Sequence, residues 1–316
     1  MKKLFIPLIL TLALNIQANE VKKENSYLDE IIENTNDIRK DIHNTIINLS
    51  VDVDNYFDDK VRKIDEYHSS YGLIELSAFQ NQHESVQFDQ KVKIKLKLPK
   101  LKDRFKLVFE SDEIRDNIDY VENHNSQNND DFNLSLVYDK ILKKNIDFKT
   151  KVGLKLKSKI DPFIKIEGKK IWKGINNIDI IFSNSIKQSV IKKLEYNNYI
   201  KFSKKINDNY TISNYHSFYW QSSERRDTEF YNSIYLNQKF DSKNYLTYTI
   251  DVNTNNIDSN LKIKRYSAKV KFRHYIKKWL YIDTIPENFY KEELNFKPRY
   301  AVRFNLGMYF KSGSYR

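Results

Sequence analysis

The amino-acid sequence predicts an all-β fold, a transmembrane antiparallel up-and-down β-barrel of about 14 strands behind an amphipathic α-helical segment. Three observations predict it. From Tyr71 to the C-terminus apolar residues recur at every second position. The alternating segments run to ~9–13 residues, enough for a tilted strand to cross the hydrocarbon layer. The connections between them switch regularly between short turns and longer polar loops. Twelve strands is the alternative if 71–80 and 279–285 do not form full strands.

The first element in the chain is a targeting segment. Met1-Lys2-Lys3 is basic, Leu4 to Leu14 is an apolar run broken by Pro7, and Ile16-Gln17-Ala18 ends in a small residue suited to cleavage. Residues 1–18 are therefore expected to be a signal peptide, with the mature chain starting at Asn19. The competing reading is an ordinary N-terminal core helix. The run is too short to span a bilayer, and no later stretch approaches ~18 consecutive apolar residues, so a helical membrane protein is excluded. Export argues against nucleic acid as a partner despite the sequence pI of about 9.3. The chain has no cysteine, which removes disulfides, thiolate nucleophiles, Cys-ligated metals and a lipoprotein anchor.

Charge then separates two regions. The net +12, the 40% hydrophobic content and the mean hydropathy of −0.70 would by themselves suggest a soluble basic protein. Residues 20–70, however, hold thirteen acidic and seven basic residues, or −6. With +2 on residues 1–19, the region 71–316 carries +16. The expected organisation is a signal peptide (1–18), an acidic helical segment (19–70) that is periplasmic or a plug, and the barrel (71–316).

In the acidic segment Leu28, Ile32, Thr35, Ile38, Ile42, Ile46, Leu49, Val53, Phe57, Val61 and Ile64 follow three- and four-residue steps, one face of a helix. That stripe suits a seam between protomers, a helix on the barrel mouth, a plug in the lumen, or a helix docked on its own domain. Residues 26–66 are accordingly the expected site of self-association or of a periplasmic partner. Tyr56-Phe57 reads as an anchor.

The expected strands are 71–80, 86–98, 104–110, 132–140, 147–158, 163–172, 177–187, 194–206, 209–221, 228–240, 244–252, 261–275, 279–285 and 298–310. Short turns fall at 99–103, 143–145, 173–176, 207–209, 241–243 and 276–278. Longer loops fall at 111–131, 188–193, 222–227, 253–260 and 286–297, which gives a short-turn rim holding both termini and a long-loop rim.

Alternation alone does not say which face is outside, because a soluble barrel shows the same period. Strand length, the consistency of the apolar face, and aromatic residues near strand ends (Phe88, Phe109, Phe132, Trp172, Trp220, Phe240, Trp279 and Phe310) favour lipid outside. Outer-membrane lipid and lipopolysaccharide are then the expected surroundings. One strand resists: Asn214 and His216 share a face with Ile212, Phe218 and Trp220, so a bulge or a covering partner is expected there.

The polar face carries a basic ladder. Lys93, Lys95, Lys151, Lys155, Lys165, Lys201, Arg265, Lys269, Lys271, Arg273, Arg299 and Arg303 are expected in the lumen, against fewer acids, namely Asp89, Glu110, Asp139, Asp147, Glu167, Glu195 and Asp251. Rings of Lys and Arg ease the entry of anions, so the expectation is passive passage of small anionic solutes. The competing reading has these charges pairing across strands and keeping the interior wet.

Two resemblances add to this. The last strand, with Phe304, Gly307, Met308 and Phe310, resembles the C-terminal signal that outer-membrane barrels present to the barrel-assembly machinery, although Lys311–Arg316 follows it. Val53-Asp54-Asn55-Tyr56-Phe57, Leu98-Pro99-Lys100-Leu101-Lys102-Asp103-Arg104-Phe105-Lys106-Leu107, Lys278-Trp279-Leu280-Tyr281-Ile282-Asp283 and Pro298-Arg299-Tyr300-Ala301-Val302-Arg303-Phe304 resemble segments of an uncharacterised family of proteobacterial, porin-like outer-membrane proteins with a helical prefix. That resemblance implies a Gram-negative outer-membrane location and brings no known activity.

Catalytic patterns are missing from the sequence. No nucleotide-binding, zinc-protease, nucleophile-elbow or calcium-loop motif occurs, and none of His43, His68, His83, His124, His216 and His274 pairs at metal-ligand spacing, so no cofactor or metal is expected. Tyr215-His216-Ser217 is the nearest enzyme lookalike, because outer-membrane phospholipases place a His and a Ser on one lipid-facing strand. Adjacent strand residues point to opposite faces and cannot share a proton, so an enzyme is not expected. The alternatives to a channel are a non-conducting envelope anchor and, less readily, a lipid-acting barrel.

Overall fold

A computed structural model describes residues 24–57, 63–101, 104–111, 132–142, 146–156, 159–175, 177–191, 193–222, 228–257 and 260–311. The expected signal peptide, His124 and most of the 111–131 loop lie outside the described residues. Contacts divide the chain into two units, Met1–Asn44 and Thr45–Arg316, with the boundary inside α1 (Glu24–Asn55), the one α-helix among the described residues.

Fourteen strands follow α1: β1 (Tyr71–Asn81), β2 (Gln87–Lys97), β3 (Phe105–Ser111), β4 (Phe132–Leu142), β5 (Ile146–Leu156), β6 (Ile160–Ile175), β7 (Ile178–Ser189), β8 (Leu194–Lys205), β9 (Tyr210–Gln221), β10 (Thr228–Lys239), β11 (Asn244–Ile257), β12 (Asn260–Lys277), β13 (Leu280–Lys291) and β14 (Arg299–Phe310). Each pairs antiparallel with its sequence neighbours, and β1 pairs with β14 to close the barrel. The strand number is fourteen, because the two segments in doubt, 71–80 and 279–285, are both full strands.

The burial pattern shows which face is which. Ser183, Ser185, Ser213, Tyr215, Ser233, Tyr235, Thr247, Thr249, Asp251 and Ser267 are buried, whereas Val152, Ile164, Ile166, Ile186, Phe202, Ile234, Ile250, Phe272 and Phe304 are exposed. A barrel that buries serine and charge while exposing isoleucine and phenylalanine is inside out by the standard of a soluble protein. The odd-numbered positions of β1, β2, β4–β10, β11 as far as Asn253, β12 from Arg265 onward, β13 and β14 face a polar interior (even-numbered in β3), and the alternate positions form an outer surface suited to hydrocarbon.

Three strands run well past their expected bounds. β6 extends at both ends, Ile160–Ile175 against the expected 163–172. β11 continues through Asn253–Asn256, paired with the start of β12, although its polar composition reads as loop. β13 continues past Pro286 to Lys291. Pro286 pairs with Val302 of β14, but the ladder with β12 is interrupted between Lys269–Glu287 and Phe272–Thr284. A residue without an N–H leaves a gap of this kind. At the β6–β7 turn Gly174 takes φ +69°, and its N–H donates to Asp179 Oδ1 at 2.8 Å.

The bulge expected in β9 does not exist: both of its ladders are regular through Asn214 and His216. Two of the expected girdle aromatics are also not at a lipid interface, because Trp279 and Phe310 are buried. Phe310 and Ile46 flank Gly72, and a Cβ at Gly72 would lie 2.8 Å from Ile46 Cδ1 and 3.3 Å from Phe310.

The end of the helix departs from its apolar stripe. Ile38, Leu49, Phe57 and Ile64 are exposed, and the buried residues over the last turns are Ile46, Ile47, Ser50 and Asp54. Ser50 donates to the carbonyl of Lys97 at 2.5 Å and accepts from Ser70 Oγ at 3.1 Å. Asp54 accepts from the Tyr67 hydroxyl at 2.8 Å and from the Lys100 N–H at 3.0 Å. Two polar side chains thus satisfy backbone groups at the β2–β3 turn that no strand can reach.

Candidate functional site: the barrel interior

The interior has two chemically distinct walls. Along β12–β14 and β1–β3 it is charged and densely paired. Arg273 forms a two-pronged contact with Asp283, Nε to Oδ1 at 2.7 Å and an Nη to Oδ2 at 2.8 Å, and Lys271 adds a third contact at 3.2 Å. Asn305 donates to the same carboxylate at 3.5 Å. Arg265 bridges Glu287 at 2.5 Å and Asp251 at 3.4 Å, and Lys269 reaches Asp251 at 3.7 Å. Lys93 and Lys151 share Glu110, at 3.2 and 3.3 Å. Buried charges persist only with such partners, and bidentate Arg–carboxylate geometry is the strongest form.

Along β8–β11 the inward face is uncharged over most of its length. Tyr215 and Tyr235 are buried there, Tyr199 and Tyr231 pack against them, and the Tyr199–Tyr215 and Tyr215–Tyr231 centroids lie 5.6 and 6.0 Å apart. Ser213, Ser233, Thr247 and Thr249 fill the spaces between.

Every one of the twelve expected lumen bases has inward parity. Seven meet a carboxylate: Lys93, Lys151, Arg265, Lys269, Lys271 and Arg273 as above, and Lys165 with Glu167 at 3.8 Å. Lys95 lies over Tyr71 at 5.4 Å, Lys201 over Tyr235 at 5.3 Å and Arg303 over Phe79 at 5.0 Å, favourable cation–ring placements. Lys155 stands opposite Asp161, and Arg299 opposite Phe289, in the strand register. Of the expected acids, Glu110, Asp139, Glu167, Glu195 and Asp251 take part in ion pairs.

Sequence reasoning missed Glu75, Asp283 and Glu287, which hold much of the charged wall, and Tyr281, which spans it. Tyr281 donates to Glu75 Oε2 at 2.6 Å, and the Arg273 guanidinium lies 3.9 Å from its ring centroid. A side chain at Gly307 would overlap the Tyr281 ring. Glycine at 307 is therefore required by a neighbour inside the barrel. Of its companions in the expected assembly signal, Phe304 is exposed on the outer face, Met308 shares its parity and Phe310 is buried.

The lipase-like residues do not converge. His216 lies on the outer face with its Nδ1 2.6 Å from Asn232 Oδ1, and Ser217 has the opposite parity. No cluster of His, Asp and Glu suited to a metal occurs among the described residues.

A closed fourteen-stranded antiparallel barrel, apolar outside and charged within, is a porin-like outer-membrane barrel in its fold. Among solved structures it is similar to in-vitro folded OmpT, an outer membrane protein of Vibrio cholerae. The TM-score is 0.50 at 6% identity, covering 76% of this chain and 96% of that one. It is also similar to the outer membrane channel DcaP of Acinetobacter baumannii, with TM-score 0.47, 8% identity and coverage of 77% and 96%. A third match is a KdgM porin in complex with disordered oligogalacturonate, with TM-score 0.37, 9% identity and coverage of 75% and 98%. The likeness is one of fold. No protein-family model and no curated protein sequence matches the chain.

Proposed function

We propose that this protein is an outer-membrane diffusion channel of a Gram-negative bacterium that passes small, preferentially anionic solutes. The observation that carries the proposal is the closed barrel whose inward positions hold Lys and Arg on most strands. Cations fixed along a low-dielectric wall lower the entry energy of anions and raise that of cations, through a field that bulk salt screens less inside a narrow passage. Pairing with Glu75, Glu110, Asp251, Asp283 and Glu287 offsets part of that field on the charged wall. Lys151, Lys155, Lys165 and Lys201, on β5, β6 and β8, belong to that field, Lys151 and Lys165 with the carboxylates of Glu110 and Glu167 beside them. Passage without chemistry is part of the same proposal.

The test is the reversal potential of the purified protein in planar bilayers across a salt gradient. The expected sign is that of excess anion flux; a cation-selective or silent barrel overturns the proposal. The contacts of Ser50 and Asp54 at the β2–β3 turn favour a rim clamp for Thr45–Asn55 over a plug in the lumen. Equal conductance of the full chain and of a variant lacking residues 20–44 is expected on that reading. Phe304, Met308 and Phe310 remain the proposed mark read by the assembly machinery.

A further inference from the structure

The outer surface is interrupted by polar side chains on four consecutive strands. Asn184 on β7, Asn198 on β8, Asn214 and His216 on β9, and Asn232 on β10 all have outward parity and lie within two residues of the middle of their strands. They are contiguous: Asn184 stands directly opposite Asn198, and His216 directly opposite Asn232. The corresponding outward positions of β5, β6, β11 and β14 include Val152, Ile166, Ile250 and Phe304, all exposed and all apolar. At that depth lipid supplies neither donors nor acceptors.

Local bonds satisfy only part of the patch. Asn232 Oδ1 takes the Nδ1–H of His216 at 2.6 Å, and Asn184 Nδ2 donates to the Tyr196 hydroxyl at 2.6 Å. This leaves His216 Nε2 as an acceptor, Asn232 Nδ2 as a donor and Asn184 Oδ1 as an acceptor. No side-chain partner falls to the amides of Asn198 and Asn214 among the described residues. The outward face of β9 is regular, so no bulge removes these groups from the surface.

We propose that the β7–β10 face is the contact between two copies of this chain within the membrane. Each carboxamide both donates and accepts, so the patch is its own complement, as a twofold contact of one surface with itself demands. It carries no carboxylate or ammonium group, so two copies meet without like-charge repulsion. Lipopolysaccharide offers its polar groups at the membrane surface rather than at mid-depth, and a second barrel is what brings amides there. The inference is independent of what the lumen conducts.

Because the chain has no cysteine, single-cysteine variants report the contact directly. Asn184→Cys, Asn198→Cys and Asn232→Cys, each purified and reconstituted in lipid vesicles, are oxidised with copper phenanthroline beside Phe304→Cys on β14. At least one of the three is expected to give a disulfide-linked dimer in high yield, with Phe304→Cys remaining monomeric. Light scattering of the native protein in mild detergent is expected to give the mass of two barrels. A combined Asn184→Leu, Asn198→Leu, Asn214→Leu, His216→Leu and Asn232→Leu variant, shown to be folded by its heat-modifiable migration, is expected to give the mass of one. Cross-linking no better than Phe304→Cys, or a two-barrel mass for the leucine variant, overturns the proposal. So does a one-barrel mass for the native chain, which would pass the patch to a different membrane protein.

Discussion

Tyr281 fills the space that a side chain at position 307 would require, so the ring on β13 crosses the glycine of β14 and its hydroxyl reaches Glu75 on β1. Three strands are joined across the closure of the barrel by one residue and one absence. Gly307→Ala is expected to displace the ring and weaken the Glu75 bond, at about 1–3 kcal/mol for a forced overpacking. Tyr281→Phe keeps the ring and removes only the bond, at about 1 kcal/mol. Urea midpoints of the folded, heat-modifiable band would rank the two; equal stability of Gly307→Ala and wild type would refute the relationship.

Asp283 is expected to be among the least replaceable acids. It is fully buried and receives Arg273, Lys271 and Asn305. Asp283→Ala leaves two buried cations without their anion and should cost about 3–5 kcal/mol. An Arg273→Met, Lys271→Met, Asp283→Leu triple variant is expected to be more stable than Asp283→Ala, since it removes the charges together. The comparison reads out as folded yield at a fixed urea concentration.

Selectivity is expected to follow the proposed lumen bases. Replacing Lys151, Lys155, Lys165 and Lys201 together by Gln should move the reversal potential toward cations at low salt. The effect should shrink at ~1 M salt, where the screening length falls to roughly 3 Å. An unchanged reversal potential at low salt would remove these four residues from the pathway.

The β10–β11 turn should carry a pH signature. The Asn244 side chain donates to Asp241 at 2.7 Å, and the N–H groups of Lys243 and Asn244 donate at 2.6 and 2.8 Å. These bonds, that from the Asn244 side chain foremost, hold the Asp241 carboxyl below the usual aspartate range. A lowered value in the folded state means that the turn is fully stabilised above the ordinary aspartate value of about 3.9. That stabilisation is lost as pH falls through the lower folded value. Protection of the Lys243 and Asn244 amides, measured relative to their intrinsic exchange at each pH, should therefore hold at neutral pH and fall only below that ordinary value. A fall in protection near neutrality would contradict it.

Release of the helix end is expected from Asp54→Ala. The Tyr67 hydroxyl and the Lys100 N–H would lose a buried acceptor, at about 1–3 kcal/mol for each unsatisfied group. Hydrogen exchange over Thr45–Asn55 should accelerate while exchange in β7–β10 stays unchanged.

The barrel was legible because alternation in Lys91–Leu98 or Ser267–Phe272 records a pleated strand with unlike surroundings on its two sides. What escaped was set by neighbours rather than by period. Pro286 reads as the start of a loop, yet its pairing with Val302 lets the strand continue, and this hid Glu287. Asn253–Asn256 has loop composition and is strand only because the start of β12 lies alongside it. The ladder of bases was visible one strand at a time; that Asp283 and Glu287 answer them from the next strand depends on register, which no single segment encodes. On the helix, apolar spacing pointed to Leu49 and Phe57, while docking falls to Ser50 and Asp54, whose partners are backbone groups without any sequence mark.

Ile46 touches Gly72, which pairs with Phe310, and those two residues belong to the first and last strands. Their pairing has the largest loop to close and can form only after the intervening sheet is made. The helix end has its complete seat only when the ring is complete. Protection of Ile46 and its neighbours from a protease would therefore act as a clock for biogenesis, turning on at the moment the two ends of the sheet meet.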